Sequence, residues 1–365
     1  MTSAGRSRGR ATIVDVARAA EVSRQTVSNV VNNPQRVAPA TLERVHREIE
    51  RLGFRPSLAA RSLKQERANA LGIELNSLGV RRLGSILDSF FVELTVASRQ
   101  RDAHLVPFAA AEHDRPIPAY QDLVASNLVD AFILTDTRHD DPRPGWLWEH
   151  GIPFAAFGRI WDDPGFTWWV DVDGFAGVAT AVQHLLGAGY DRVGFLGWPA
   201  GSPVGDERRA GWLGAAAEAG GDRPEWQASA PQDIGLAAAA VAPVIDAMGP
   251  GGAVACASDT LAMGAWMVLR ERGLTPGRDF GIVGFDDSDL AQAFGLTSLR
   301  QPLHEVAEEV LAILDDGRAG RPMPVEGRIH RPTLITRGST DRSTPPSADG
   351  TRHHADNRTD NGGNR

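Results

Sequence analysis

Apolar positions near the N-terminus recur with the period of short α-helices. The pattern predicts one helix after Thr12 and a second after Ser23, because hydroxyl side chains cap helices and apolar residues follow each of them at helical spacing. A third helix is predicted from Val37 to Leu52, with Gly53 as its C-cap. Together they predict a small all-α domain that begins with two helices joined by a tight turn.

The outer face of the second predicted helix carries polar side chains near its start. Arginine can bind O6 and N7 of guanine, and glutamine or asparagine can bind N6 and N7 of adenine, in the major groove of DNA. Arg24, Gln25 and Asn29 are therefore candidate base-reading residues. Periodicity alone leaves open a second interpretation, which is a surface helical hairpin of an unrelated domain.

From Ala68 onward, short and nearly continuous apolar runs alternate with helical patterns. Such runs are typical of parallel strands covered on both faces, so the body is predicted to be a doubly wound α/β structure in two lobes. Ligands of such sheets bind at the carboxyl ends of the strands, here in a cleft between the lobes. The predicted strands are 71–75, 105–109, 131–134, 154–157, 192–196, 253–257 and 281–285, and the predicted helices include 85–101, 175–186, 208–219, 236–248 and 259–272.

Charge divides the chain into a basic head and an acidic body. The formal net charge is −8, yet residues 1–67 hold 13 Lys or Arg and six Asp or Glu, whereas the remaining residues hold 25 and 40. A basic head limits nonspecific contact with DNA phosphates to one end of the molecule. The distribution therefore favours a nucleic-acid partner that the total charge would not suggest.

Composition argues against several other classes of protein. No apolar run is long enough to cross a membrane, and no apolar core follows the N-terminal arginines as in a secretory signal. The single cysteine, Cys256, excludes an intrachain disulfide and fits a cytoplasmic location. The ten histidines lack ligand spacing, so neither a metal site nor a cofactor is expected.

Lysine usage weakens the interpretation as an enzyme. Lys64 is the only lysine in the chain, so the body offers neither a Schiff-base lysine nor a phosphate-binding lysine of the Walker type. The sequence also lacks the Gly-x-Ser-x-Gly elbow of many hydrolases. The protein is expected not to be an enzyme, and an enzyme fused to a DNA-binding head is the weaker alternative.

Residues 11–64 resemble the DNA-binding headpiece of the LacI/GalR family of bacterial transcription regulators. The resemblance rests on Thr-Ile at 12–13, Asp-Val-Ala at 15–17, Thr-Val-Ser at 26–28 and Ala-Arg-Ser-Leu at 60–63. It implies a helix-turn-helix that reads the major groove, and a hinge helix whose Leu63 wedges into the minor groove. The DNA-binding residues it implies are Thr12, Ser23, Arg24, Gln25, Thr26, Ser28, Asn29, Asn33, Ala60, Leu63 and Lys64.

Two residues depart from the family pattern in the headpiece. Glu21 stands where the family turn usually carries glycine, and a positive φ at a non-glycine residue costs up to about 1 kcal/mol. Asn29 stands where many members carry arginine, so an operator half-site different from the commonest one is expected.

The resemblance continues to about residue 340, through phrases such as Val-Asp-Val-Asp-Gly at 170–174 and Val-Gly-Phe-Asp-Asp at 283–287. It implies a body like the periplasmic sugar-binding proteins, with a small effector between two lobes. The effector-binding residues it implies are Asp173, Arg208, Ser258 and Asp286. Two structural alternatives stay open, a helix N-cap for Asp286 and a surface ion pair for Arg208. Most of the clustered tryptophans (146, 148, 161, 168 and 169) are expected in packing, although a sugar could stack on one of them.

The expected organisation is a flexible arm at 1–10, the headpiece at 11–55, a hinge helix and linker at 56–67, the effector-binding domain at 68–340 and a disordered tail at 341–365. The lobes are expected at about 68–186 with 300–323, and at about 187–299 with 324–340. The resemblance implies a homodimeric repressor of carbohydrate-metabolism genes that binds a pseudo-palindromic operator and is switched by a small effector, expected to be a sugar. A purine- or nucleoside-responsive regulator of the same family is the alternative.

Overall fold

The structure is a computed structural model that describes residues 11–54, 69–75, 86–110, 115–219, 221 and 223–343. The chain divides into two units, Met1–Asn69 and Ala70–Arg365. The described part of the first unit is the headpiece, and that of the second is the body. The expected arm and hinge helix, and the expected tail after residue 343, lie outside the described residues. Residues 341–343 of the expected tail are described, and Arg342 donates to the carbonyl oxygen of Gly189.

The headpiece consists of three helices around a small apolar core. The helices are α1 (Ile13–Ala19), α2 (Arg24–Asn32) and α3 (Pro39–Leu52), with a 3-10 turn at Pro34–Arg36. The third helix begins at Pro39 rather than at Val37, because proline presets the φ of a first helical residue and needs no hydrogen-bond acceptor there. The buried core side chains are Val16, Ala17, Ala20, Val27, Val30 and Val45.

The expected caps and turn residues of the headpiece are present. Thr12 and Asp15 form a reciprocal capping box at α1, and the Ser23 side chain accepts a hydrogen bond from the Thr26 amide at the start of α2. Gly53 ends α3 in the left-handed conformation, with φ of 63°. Glu21 has φ of 53°, so the turn between α1 and α2 holds a non-glycine residue in the left-handed region, as anticipated.

The body contains twelve strands and nine helices within the described residues. The strands are β1 (Ala70–Glu74), β2 (His104–Phe108), β3 (Ala131–Leu134), β4 (Phe154–Phe157), β5 (Trp169–Val172), β6 (Arg192–Gly197), β7 (Gln227–Ser229), β8 (Gly252–Cys256), β9 (Gly281–Phe285), β10 (Thr297–Arg300), β11 (Arg328–His330) and β12 (Thr333–Ile335). The helices are α4 (Ile86–Gln100), α5 (Ile117–Ala125), α6 (Pro142–Glu149), α7 (Gly174–Gly187), α8 (Pro203–Glu218), α9 (Ile234–Met248), α10 (Asp259–Glu271), α11 (Asp289–Phe294) and α12 (Leu303–Arg318).

The strands form two six-stranded sheets, one in each lobe. The order is β11-β5-β4-β3-β1-β2 in the first sheet and β12-β10-β9-β8-β6-β7 in the second. Every neighbouring pair of these strands is parallel except β10 with β12, which is antiparallel at the edge of the second sheet. The predicted two-lobed α/β architecture is therefore confirmed, and the antiparallel edge strand is an addition to it.

Among the residues that the structure describes, the chain crosses between the lobes at three points, and two of these crossings differ from expectation. α7 packs its buried Val178, Val182 and Leu185 into the core of the second lobe, so the first crossing falls before α7 and not near residue 186. β11 pairs with β5 of the first sheet, so the last crossing follows β11 and not residue 323. Helix α12 packs into the core of the first lobe, as the expected assignment of 300–323 requires.

A buried ion network fixes the loop that follows β3. Arg143 of α6 is 1% exposed and binds Glu74 at 3.1 Å and Asp141 at 2.7 Å. The same guanidinium donates to the carbonyl oxygens of Thr135 and Asp136 at 3.0 and 3.3 Å. Each of these charges has a partner, as burial of charged groups requires. The network thus holds the carboxyl end of β3 in place.

Candidate functional site

The start of α2 presents the candidate base-reading side chains. Arg24 and Gln25 are exposed and Asn29 is partly exposed, and residues four apart lie on one face of a helix. The Gln25 amide nitrogen donates to Oδ1 of Asn29 at 3.1 Å. This bond gives the two amides a common orientation on the outer face of the headpiece.

The other candidate DNA-binding residues of the headpiece surround this face. The Thr12 and Ser23 hydroxyls serve as helix caps. The hydroxyl oxygens of Ser23 and Thr26 lie 2.9 Å apart. Ser28 and Asn33 are partly buried, and Asn33 is the C-cap of α2. The expected hinge residues Ala60, Leu63 and Lys64 lie outside the described residues.

The body contains a cavity of about 430 Å³ between its lobes. It lies at the carboxyl ends of the parallel strands, where ligands of this architecture bind. The side chains that argue for a ligand site are Asp136, Asp171, Trp198, Arg208, Gln232 and Asp286. The predicted residues Arg208 and Asp286 thus line one cavity.

Arg208 on α8 is a buried cation that lines the cavity. It is only 5% exposed, and its guanidinium carbon lies 3.6 Å from the centroid of the Phe285 ring. Nη1 donates to the carbonyl oxygen of Ala257 at 2.5 Å, whereas the buried Nε has no hydrogen-bond partner among the described residues. Burial lowers the pKa of Arg208, and nearby carboxylates counteract this effect. A surface ion pair does not describe this side chain, so that alternative is wrong.

Asp286 and Asp171 are the acidic counterparts of Arg208. Burial raises the pKa of Asp286 to about 7, although Arg208 opposes the shift, and Oδ1 accepts a hydrogen bond from Gln301 at 2.7 Å. Burial also raises the pKa of Asp171, whose Oδ2 accepts a hydrogen bond from Nε of Arg159 at 2.8 Å. Ser288, and not Asp286, occupies the N-cap position of α11. The cap alternative for Asp286 is therefore wrong.

Asp173 and Ser258 do not line the cavity. The Asp173 side chain accepts from the Ala176 amide at 2.8 Å and caps α7. Ser258 is fully buried and caps α10 through the Leu261 amide. Their side chains therefore stabilise helix starts beside the cleft, and Ser258 reaches the cavity only through a neighbour.

That neighbour is Gln232, which sequence reasoning missed together with Trp198. Oε1 of Gln232 accepts from Trp198 Nε1 at 2.7 Å and from Ser258 Oγ at 2.8 Å. The centroid of the Trp198 ring lies 5.3 Å from the guanidinium carbon of Arg208. The tryptophans at 146, 148, 161, 168 and 169 do not line this cavity. Residues 198 and 232 lie in loops after strands, where hydrophobic patterning gives no signal.

The comparisons with known proteins agree in both units. Residues 12–57 match the family model of bacterial regulatory proteins, lacI family, and residues 182–340 match the periplasmic binding protein-like domain. The chain is 31% identical over 323 residues to the HTH-type transcriptional regulator CelR of Thermobifida fusca, which covers 86% of this chain and 93% of that protein.

Two solved structures resemble the protein over most of its length. A regulatory protein of the LacI family from Chloroflexus aggregans has a TM-score of 0.69 at 33% identity, covering 74% of this chain and 98% of its own. The transcriptional regulator CelR–cellobiose complex has a TM-score of 0.67 at 27% identity, covering 90% of this chain and all of its own.

A helix-turn-helix headpiece followed by a two-lobed domain with a central cavity defines a DNA-binding transcriptional regulator. The chain belongs to the LacI family of bacterial regulators. The predicted family and fold are confirmed. None of the helices in the described parts of the chain is long and apolar enough to cross a membrane.

Proposed function

We propose that the protein represses carbohydrate-metabolism genes and that a small sugar in the interlobe cavity switches its operator binding. The observation that carries the proposal is the set of groups around the cavity. Nε of Arg208 is a donor without a partner in the described part of the chain, Asp171 and Asp286 offer acceptors, and Trp198 offers an aromatic surface. Paired donors and acceptors beside an aromatic ring suit the hydroxyls and apolar face of a sugar.

The size of the cavity and one relative support the choice of a sugar. A volume of about 430 Å³ falls within the range of small-molecule sites. The related CelR structure contains cellobiose, a disaccharide. Cellobiose is therefore the first probe for this protein, and nucleosides and purines are the alternative effectors.

On the DNA side, Arg24, Gln25 and Asn29 enter the major groove and read base edges. Leu63 unstacks a base step in the central minor groove, with Ala60 and Lys64 beside it in the hinge helix. A short hinge helix is marginal alone, so a small change in lobe geometry can order or melt it. By linkage, operator DNA changes the affinity for the effector by the same factor as the effector changes the affinity for the operator.

The functional unit is a homodimer on a pseudo-palindromic operator. Two headpieces then occupy two half-sites, and a two-fold axis relates both protein and DNA. Large apolar side chains on the surface of the body support this proposal. Val92 and Val96 of α4 are 60% and 53% exposed, and Met267 and Phe294 are 44% and 46% exposed. A second copy is the partner that covers them.

The experiment is a footprint of the full-length protein on DNA upstream of its own and neighbouring genes, with and without sugars and nucleosides. A protected palindrome that a sugar releases, or that appears only with a sugar, supports the proposal and distinguishes induction from co-repression. Release by a nucleoside and not by any sugar replaces the sugar with the alternative effector. Absence of a protected site under every condition contradicts the proposed operator function.

A further inference from the structure

We infer that Gln232 selects for an acceptor oxygen on the ligand, and that Trp198 and Ser258 hold its amide in the selecting orientation. The inference rests on the proposed ligand role of the cavity. Gln232 is thereby assigned a contact with the ligand. Ser258, which the family resemblance places among the ligand contacts, is instead assigned the role of a positioning residue.

The topology of the second sheet brings these three residues together. Trp198 follows β6, Gln232 lies after β7 and Ser258 follows β8. The order β8-β6-β7 makes these strands neighbours, and all of them run parallel. Residues just beyond their carboxyl ends therefore meet at one edge of the sheet, although they lie far apart in the sequence.

Hydrogen-bond chemistry fixes which end of the Gln232 amide faces its neighbours. The indole N–H of Trp198 is a donor only, so the atom 2.7 Å away must be the amide oxygen. Ser258 Oγ then donates to the same oxygen at 2.8 Å and accepts from the Leu261 amide. A flipped amide would place its N–H groups against the indole N–H and lose the bond to Trp198, so this bond fixes the orientation of the amide.

The consequence is that the amide nitrogen carries the free hydrogen-bonding capacity of Gln232. Gln232 lines the cavity, and Nε2 has no hydrogen bond among the described residues. A ligand hydroxyl, ether or carbonyl oxygen accepts from these two N–H groups, whereas an ammonium group or a bare CH₂ does not. Loss of one such bond lowers ligand affinity by roughly tenfold.

A measurement without ligand tests the orientation. Hydrogen exchange of the Trp198 indole proton is followed by NMR in the full-length protein, with Trp198→Phe to assign the signal. Gln232→Leu should speed the exchange, because the acceptor is lost, while Gln232→Glu should keep the proton protected by its carboxylate. Equal exchange in the wild type and Gln232→Leu would overturn the inference.

A measurement with cellobiose tests the selection. Deoxy and deoxyfluoro analogues at each hydroxyl are compared by calorimetry, because fluorine accepts weakly and cannot donate. At one position the wild type should bind the fluoro analogue better than the deoxy analogue, and Gln232→Glu should reverse that order. The same order in both proteins would contradict the selection. Failure of cellobiose to bind the wild type would instead count against the proposed sugar, and the indole measurement would still decide the orientation.

The role of Ser258 is separated from its helix cap by a double-mutant cycle. Ser258→Ala should weaken ligand binding when Gln232 is present but have little further effect when it is combined with Gln232→Leu. Ser258→Thr keeps a hydroxyl and should bind the ligand as the wild type does. Equal losses of ligand affinity from Ser258→Ala in the wild type and in Gln232→Leu would mean that Ser258 acts only as a helix cap.

Discussion

Arg159 and Glu207 form an ion pair that joins the two lobes of the body. Arg159 follows β4 in the first lobe and also binds Asp171 at 2.8 Å, whereas Glu207 lies on α8 in the second lobe. The next residue along α8 is Arg208, whose side chain lines the cavity. The pair therefore links the arrangement of the lobes to the side chain that we propose contacts the effector.

Removal of this link should loosen the body. Arg159→Ala leaves Asp171 and Glu207 without their shared cation while both are largely buried, which costs about 1–3 kcal/mol in the free energy of unfolding. Denaturant unfolding followed by tryptophan fluorescence measures it. The control is Arg272→Ala, which breaks an exposed pair with Asp246 and should cost less than about 1 kcal/mol. Equal losses in the two variants would mean that the interlobe pair is no stronger than a surface one.

The raised pKa of Asp286 predicts a pH dependence of stability. Because its pKa of about 7 in the fold exceeds the ordinary value of 3.8, the folded protein binds a proton that the unfolded chain has released. The resulting stabilisation is complete below the ordinary pKa and is lost as the pH rises through about 7. Asp286→Asn stays neutral and should flatten the fall in Tm between about pH 5 and about pH 8.

Two comparisons sharpen this test. Asp259, whose pKa is raised to about 6, also makes stability fall with rising pH. The slope of Tm against pH in Asp286→Asn should therefore be smaller than in the wild type but not zero. The exposed Asp246, whose pKa is lowered by Arg272, gives the control Asp246→Asn, which should leave the slope in this window unchanged. A slope identical in Asp286→Asn and wild type would contradict the raised pKa of Asp286.

The strained turn of the headpiece predicts a stabilising substitution. Glu21 has a positive φ, so Glu21→Gly should stabilise the headpiece by up to about 1 kcal/mol. Glu21→Ala removes the same charge but keeps the penalty, and it should not stabilise. Hydrogen exchange of the amides in residues 11–54 of the full chain measures the effect. Stabilisation of equal size by both substitutions would assign the effect to charge.

The recognition helix predicts a difference between specific and nonspecific binding. Arg24→Ala should weaken binding to the footprinted operator by about tenfold to a hundredfold, while binding to scrambled DNA changes much less. Fluorescence anisotropy measures both affinities. The control is Arg18→Ala, a highly exposed cation on α1, whose effect should be equal on the two DNAs. A uniform loss with Arg24→Ala would assign this residue to the phosphate backbone.

Much of the fold was predictable because its central strands are buried on both faces. β3, β4 and β9 appear as continuous apolar runs, and their predicted bounds equal the observed ones. The edge strands β7, β11 and β12 have only three residues each and are partly exposed, so they give no such run. β5 and β10 contain buried polar residues, which interrupt the apolar pattern.

The candidate site was less predictable than the fold. The resemblance identified Arg208 and Asp286, which both line the cavity. Asp173 and Ser258 have the same polar chemistry, but helix starts take up their acceptor oxygens. The contact between Trp198 and Gln232 depends on strand order, which hydrophobic patterning does not reveal.

The central claim is that a ligand on Arg208 controls operator binding, and the most direct test is a footprint of Arg208→Ala beside the wild type. The effector that acts on the wild type is titrated against both proteins on the same operator. The account predicts that the variant still protects the operator, which shows that it is folded, and no longer responds to the effector. A normal response by the variant would contradict the account and locate the switch outside this cavity.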